Sequence, residues 1–281
     1  MADYLRPLAL DEALAALAAQ PWLVLAGGTD IYPAHVEWPI ERPALDLTAI
    51  AALKGIERRG AHWRIGATTT WSELIAAPLP PLFDGLRQAA REIGGVQIQN
   101  AGTIAGNLCN AAPAADGVPC LLALDAGIEL SARDGVRVVK LADFITGARA
   151  TALRESELVT AILVPAPSAE RCVSLFSKLG ARRYLVISIV MVAFALELNA
   201  RGEITRAGVA VGACSAVAQR LPALEAALHG RRLDASLAEI VTEAHLAPLA
   251  PIDDIRASAD YRREAALTLI RRGLVALGAS A

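Results

Sequence analysis

Three things are missing from this chain. It has no cysteine pair at metal-ligand spacing, no surplus of charge of one sign and no long hydrophobic run. Its cysteines are Cys109, Cys120, Cys172 and Cys214, and no two stand at the C-x₂-C spacing of zinc or iron–sulfur sites. Buried free thiols are expected instead. The formal net charge is -2, which leaves no basic footprint for nucleic acid. The longest strongly apolar stretch, Leu185 to Leu198, is interrupted by Ser188 and Glu197. It is also shorter than the ~20 residues a membrane-spanning helix needs. The opening Met1-Ala2-Asp3-Tyr4-Leu5-Arg6 lacks a basic region followed by an apolar stretch, so no secretory signal is read there and a cytoplasmic location is expected.

What is present is a chain of 281 residues, 54% of them apolar and much of that alanine. At roughly 150 residues per domain this length favours two domains. High apolar content with low net charge excludes a disordered chain, and a core of useful size needs no disulfides at this length.

Periodicity predicts an alternation of helices and strands. A helix is expected over Leu10–Ala19, with Leu14 and Leu17 on one face, Asp11 near its start and Pro21 at its end. Short strands follow over Trp22–Ala26 and Ala44–Leu47. A strand is expected over Trp63–Ala67, a helix over Trp71–Ala77 capped by Thr70, and another over Leu82–Ile93 ended by Gly94-Gly95. The stretch from Gln97 to Asp116 is rich in Asn, Gly, Ala and Pro and predicts a loop. A helix end is expected over Leu121–Asp125, paired strands over Gly127–Ser131 and Gly135–Lys140, and a further strand over Leu158–Val164. Pro165-Ala166-Pro167 marks the best domain boundary. Beyond it come a strand (Cys172–Leu179), a helix or strand (Leu185–Leu198), a turn (Asn199–Gly202) and a strand (Ile204–Val211). Helices are expected over Leu221–Leu228, Leu237–Ala244 and Tyr261–Leu277, the last with Leu267, Ile270, Leu274 and Leu277 on one face.

Two segments carry chemistry. Ala26-Gly27-Gly28-Thr29-Asp30 directly follows an apolar strand. Glycines there let the backbone approach a ligand and point N–H groups at an anion. It is neither a phosphate-binding Walker loop nor G-x-G-x-x-G, and alone it reads as a turn. The second segment runs from Asn100 to Asp116 and offers backbone donors, the Thr103 hydroxyl, three amides (Asn100, Asn107, Asn110) and a carboxylate. That set suits a pyrophosphate with a polyol better than a metal. Together they read as one dinucleotide site built by two loops. The isolated His35, His62, His229 and His245 read as ordinary histidines.

Ala26-Gly27-Gly28-Thr29-Asp30 and Thr103-Ile104-Ala105-Gly106-Asn107 resemble the two FAD-binding motifs of the medium, flavin-carrying subunit of the xanthine dehydrogenase and carbon monoxide dehydrogenase family. Asn110 to Asp116 and Lys178-Leu179-Gly180-Ala181-Arg182-Arg183-Tyr184 extend the likeness, which covers essentially the whole chain. Ala105 stands where many relatives have glycine, and Thr29-Asp30 replaces pairs seen in other branches.

The resemblance implies an α+β chain. Residues 1–165 would form a two-subdomain FAD-binding fold of the vanillyl-alcohol oxidase type, divided at about residue 55. Residues 168–281 would form a small C-terminal domain with an antiparallel sheet. It implies FAD held by Leu25 to Asp30 and Thr103 to Asn107, with Asn110 nearby. Asp116 would accept from ribityl or ribose hydroxyls. Lys178 would lie near the flavin ring, Tyr184 could cover one ring face, and Arg182-Arg183 could stabilise the reduced ring. No catalytic acid–base residue and no metal ligand is implied, and the scattered cysteines predict no [4Fe–4S] cluster.

The implied partners are a molybdopterin-binding large subunit and a [2Fe–2S] small subunit, in a dimer of heterotrimers. An external acceptor (NAD, oxygen or a quinone) would take the electrons. A free-standing FAD-dependent oxidoreductase with its own small substrate, and a non-catalytic assembly protein that kept the fold, are the alternatives.

Overall fold

The computed structural model describes residues 3–37 and 39–279; Met1 and Ala2, part of the N-terminal stretch read above, lie outside them. The chain opens with β1 (Tyr4–Leu5), α1 (Leu10–Ala19), β2 (Leu23–Leu25), α2 (Ile31–Ala34) and β3 (Ala44–Asp46). These strands form a parallel sheet in the order β1-β3-β2. Helix α1 has the predicted bounds, and its Ala13, Leu14 and Leu17 are buried against the sheet and Leu158. Asp11 does not cap it, since Ala9 holds the cap position. Its contribution is negative charge in the first turn.

The next unit contains β4 (Ile56–Arg59), β5 (His62–Gly66), α3 (Trp71–Ala76), α4 (Asp84–Glu92), α5 (Val96–Ala101), α6 (Ile104–Asn110) and α7 (Gly117–Ala123). Then come β6 (Gly127–Ala132), β7 (Gly135–Lys140), α8 (Leu141–Phe144), β8 (Ile145–Gly147), β9 (Ala150–Thr151) and β10 (Leu158–Pro165). Five strands make a sheet in the order β4-β5-β10-β6-β7, every neighbour antiparallel. Thr70 caps α3 as predicted. Its hydroxyl accepts from the Glu73 N–H at 3.2 Å and the Glu73 carboxylate accepts from the Thr70 N–H at 2.7 Å. The predicted helix over Leu82–Ile93 begins as a 3₁₀ turn, Pro81–Phe83, before α4.

The stretch from Gln97 to Asp116 is not a loop. It folds into α5 and α6, and Asp116 heads α7. Thr103 supplies the start signal, its hydroxyl accepting from the Gly106 N–H at 3.0 Å. Ile104 and Leu108, four residues apart, are buried together on one side of α6. Tertiary burial outweighs the weak helix propensity of its Asn and Gly residues. Helix α7 is buried on every side, as a helix apolar all round must be.

The last unit is a sheet of β11 (Arg171–Leu179), β12 (Val190–Leu198), β13 (Ile204–Gly212) and β14 (Gln219–Arg220), antiparallel and in chain order. It is followed by α9 (Pro222–Leu228) and α10 (Ala259–Ala279). The run Leu185–Leu198 is a strand from Val190 onward, buried along its whole length. Its alternate residues enter two different cores. Met191, Ala193 and Ala195 join α7 and the five-stranded sheet, while Val190, Val192, Phe194 and Leu196 join α9 and α10. The predicted helix over Leu237–Ala244 is instead two 3₁₀ turns, Ala235–Ile240 and Glu243–Leu246. Extended backbone at Val241 and Thr242 separates them and lets Leu237, Val241 and Leu246 all reach the core. Among the described residues no helix is long and apolar enough to cross a membrane.

Candidate functional site

The turn after β2 is shaped by its glycines. Gly28 has φ +68, where a side chain is strained. A Cβ on Gly27 would sit 1.9 Å from the Ala101 carbonyl oxygen. The first motif therefore rests directly on the end of α5. The second motif hangs on the start of α3: the Trp71 N–H donates to the Gly102 carbonyl at 3.2 Å and the Ile104 N–H to the Thr69 carbonyl at 3.0 Å.

Between the motifs lies a cavity of about 430 Å³. Ala26, Gly27, Gly28, Thr29 and Asp30 line it from one side, and Thr103, Ala105, Gly106, Asn107 and Asn110 from the other. Trp71, Ile98 and Val159 add apolar wall. Leu25 and Ile104, also predicted site residues, do not line it. Leu25 is the buried strand residue behind the first turn, and Ile104 is fully buried in the core. The N–H groups of Gly27, Gly28, Thr29 and Ala105 donate to no group of the described chain. Asn107 Oδ1 is buried and has no partner. Free backbone donors suit an anion, and a buried free acceptor suits a hydroxyl.

Two polar links were not legible in the sequence. The Asn110 amide donates to the Asp30 carboxylate, tying one motif to the other. The Arg149 guanidinium, in the turn between β8 and β9, donates to the Asn110 carbonyl oxygen.

The remaining predicted residues lie apart from this cavity. Asp116 and Lys178 are paired and buried: Lys178 Nζ donates to Asp116 Oδ2 at 2.6 Å and Ser188 Oγ donates to Asp116 Oδ1 at 2.6 Å. Burial pushes the Asp116 carboxyl above its usual range, and Lys178 and Ser188 pull it back. Lys178 also borders a second cavity of about 500 Å³ with Gln88, Glu92, Arg182 and Arg183. Tyr184 is exposed, and the Arg183 guanidinium lies 5.3 Å from its ring centre. Ser188 did leave a signal in the sequence, as a polar residue inside an apolar run.

The cysteines are free, but only Cys120 and Cys214 are buried; Cys172 is half-buried and Cys109 is exposed, against expectation. Cys109 lines the cavity between the two motifs. Burial, with the Asp116 charge, holds the Cys120 thiol well above its usual range, so it stays protonated and unreactive. No cluster of potential metal ligands occurs among the described residues.

Comparison with known proteins agrees with this geometry. Residues 1–167 match the family described as the FAD binding domain in molybdopterin dehydrogenase. Residues 176–277 match the CO dehydrogenase flavoprotein C-terminal domain. The chain is 30% identical over 275 residues to the xanthine dehydrogenase FAD-binding subunit of Escherichia coli O157:H7, covering 96% of this chain and 94% of that one. It is 31% identical over 285 residues to the carbon monoxide dehydrogenase medium chain of Afipia carboxidovorans, covering 97% and 95%. The reconstituted CO dehydrogenase from Oligotropha carboxidovorans superposes with a TM-score of 0.90 at 29% identity, covering 100% of this chain and 99% of that one. Matched along nearly its whole length in sequence and in backbone, the chain belongs to the family of FAD-binding medium subunits of the molybdenum-containing xanthine and carbon monoxide dehydrogenases.

Proposed function

We propose that this chain is the flavoprotein subunit of a molybdenum-containing hydroxylase or dehydrogenase. It binds FAD and serves electron transfer from [2Fe–2S] centres in a partner subunit to an external acceptor. The observation that carries this reading is the cavity between the two motifs, with free N–H donors and a buried, unpartnered Asn107 oxygen. These groups fit FAD. The free N–H groups of Gly27 to Thr29 and of Ala105 would hold the pyrophosphate, and Asn107 would accept from a hydroxyl. Trp71 and Ile98 give the cavity apolar wall. Asp116 is buried apart from this cavity, and its bond to Lys178 joins β11 to the head of α7.

When bound, FAD supplies a ring that takes up electrons singly or in pairs, which suits a place between one-electron clusters and a two-electron acceptor. The chain's own task is to place and tune that ring, and none of its residues is assigned acid–base chemistry. Molybdenum cofactor and [2Fe–2S] clusters belong to a large and a small partner subunit, assembled as a dimer of heterotrimers in the cytoplasm. NAD, oxygen or a quinone is the acceptor. Within the chain, residues 1–165 form the FAD-binding domain and 168–281 the C-terminal domain.

Purification of the full chain tests the reading. A yellow protein that releases FAD on denaturation, and turns over no substrate until its partners are co-expressed, supports it. A colourless chain that takes up no FAD refutes it. Turnover of a small substrate by the chain alone favours a free-standing oxidoreductase.

A further inference from the structure

The cavity between the two motifs has an electrostatic problem. None of its described lining residues is lysine or arginine, and Asp30 puts a carboxylate on its wall. A diphosphate brings two further negative charges to the same place. Arg149 stands where it can resolve this. It is exposed and sits in the left-handed region with φ +59. Its N–H donates to the Ala111 carbonyl at 2.8 Å, which anchors the turn to the end of α6. Its guanidinium donates to Asn110 Oδ1, and the Asn110 amide nitrogen donates to Asp30 Oδ2. The cation fixes the amide's orientation: with its oxygen facing Arg149, its N–H₂ must face the carboxylate.

We propose that Arg149 is a positioning residue of the dinucleotide site, acting through Asn110 to hold the Asp30 carboxylate in a charge-balanced chain so that a diphosphate can lie beside it. This rests on the reading that the cavity takes FAD. Arg149 need not touch the ligand. It supplies the positive charge that the lining lacks, and it fixes the side chain that joins the two motifs.

The test is titration of FAD into the full chain, followed by flavin fluorescence, at low and high salt. Arg149→Gln should weaken binding about tenfold at low salt. The loss should shrink at high salt, because it arises from repulsion at an exposed site. Adding Asp30→Asn to Arg149→Gln should restore affinity to within about threefold of the parent, a coupling that a purely structural role would not show. Arg149→Lys should keep most of the affinity. The position is exposed, so an unchanged melting temperature will confirm that the fold is intact. Binding by Arg149→Gln within about twofold of the parent overturns the proposal. So does a loss that neither salt nor Asp30→Asn relieves. If the parent chain itself takes up no FAD, the reading of the cavity fails first and this proposal with it.

Discussion

Lys178 Nζ lies 2.6 Å from Asp116 Oδ2, and the pair joins β11 of the last sheet to the head of α7. Both side chains are more than nine-tenths buried, so neither charge has water to fall back on.

Removing the cation should therefore cost more than a surface ion pair is worth. Lys178→Met leaves a buried, uncompensated carboxylate and should destabilise the chain by about 3–5 kcal/mol in urea unfolding. Lys178→Met with Asp116→Asn should recover part of that loss. The pH dependence has a definite sign. Burial raises the Asp116 carboxyl above the ordinary 3.8, so the fold disfavours its charged form relative to the unfolded chain. Stability from that shift is present below 3.8 and is lost as pH rises through the folded-state value. Without Lys178 the folded-state value moves higher still. Urea midpoints of Lys178→Met should then fall from pH 4 towards pH 7 more than those of the parent.

Asp254 behaves in the opposite sense. The Arg256 N–H at 2.8 Å, with the Arg262 guanidinium at 2.7 Å, lowers its carboxyl to about 2. A lowered acid contributes stability above its unfolded value of 3.8, and that contribution is lost as pH falls through about 2. Asp254→Asn should flatten the acid limb of the stability curve across that window. An unaltered acid limb in thermal melts would refute this.

The first motif offers a pair of substitutions with different expected outcomes. Gly27→Ala drives a Cβ into the Ala101 carbonyl, which is backbone and cannot swing aside. It should separate the motifs, abolish FAD retention and lower the melting temperature. Gly28→Val meets the Tyr32 ring at 2.3 Å, a side chain that can rotate away. It should also abolish FAD retention, because of the strained backbone at φ +68 and the bulk at the cavity wall. Its cost to the apo chain should be the smaller of the two.

Asn107 separates binding from folding more cleanly. Its Oδ1 makes no hydrogen bond within the described chain. Asn107→Ala should weaken FAD binding by about 1 kcal/mol, roughly fivefold, if that oxygen accepts a ligand hydroxyl. Apo stability should stay the same or rise slightly. Calorimetric titration and apo melting curves read the two quantities independently.

What the sequence made legible was local. Helix α1, the capped start of α3 and the paired strands β6 and β7 follow from contiguous patterns of apolar spacing, caps and glycines. The two motifs were visible for the same reason, each being a short run of neighbours. Errors arose where distant contacts decide. Asn and Gly favour turns and point to a loop over 97–116, yet burial of Ile104 and Leu108 makes it helical. Arg149 meets Asn110 across 39 residues, and Ser188 meets Asp116 across 72. No local pattern encodes such partners. Strand β12 gave no clear period because both of its faces are buried, which hides the alternation that marks a strand.

That doubly buried strand has a consequence for how the molecule comes apart. Met191, Ala193 and Ala195 on one face are sealed by α7, and Val192, Phe194 and Leu196 on the other by the C-terminal helices. On β13, a Cβ at Gly208 would lie 2.0 Å from the Ala123 carbonyl, so helix and sheet touch backbone to backbone. Ala193, Ala195 and Gly208 work here as spacers that let the layers close in. A cut after Pro165 would not yield two proteins: the first fragment would lose the floor beneath α7 and the second would bare an alanine-lined sheet. Heat or denaturant should melt the chain in a single step, whatever boundary is drawn along its sequence.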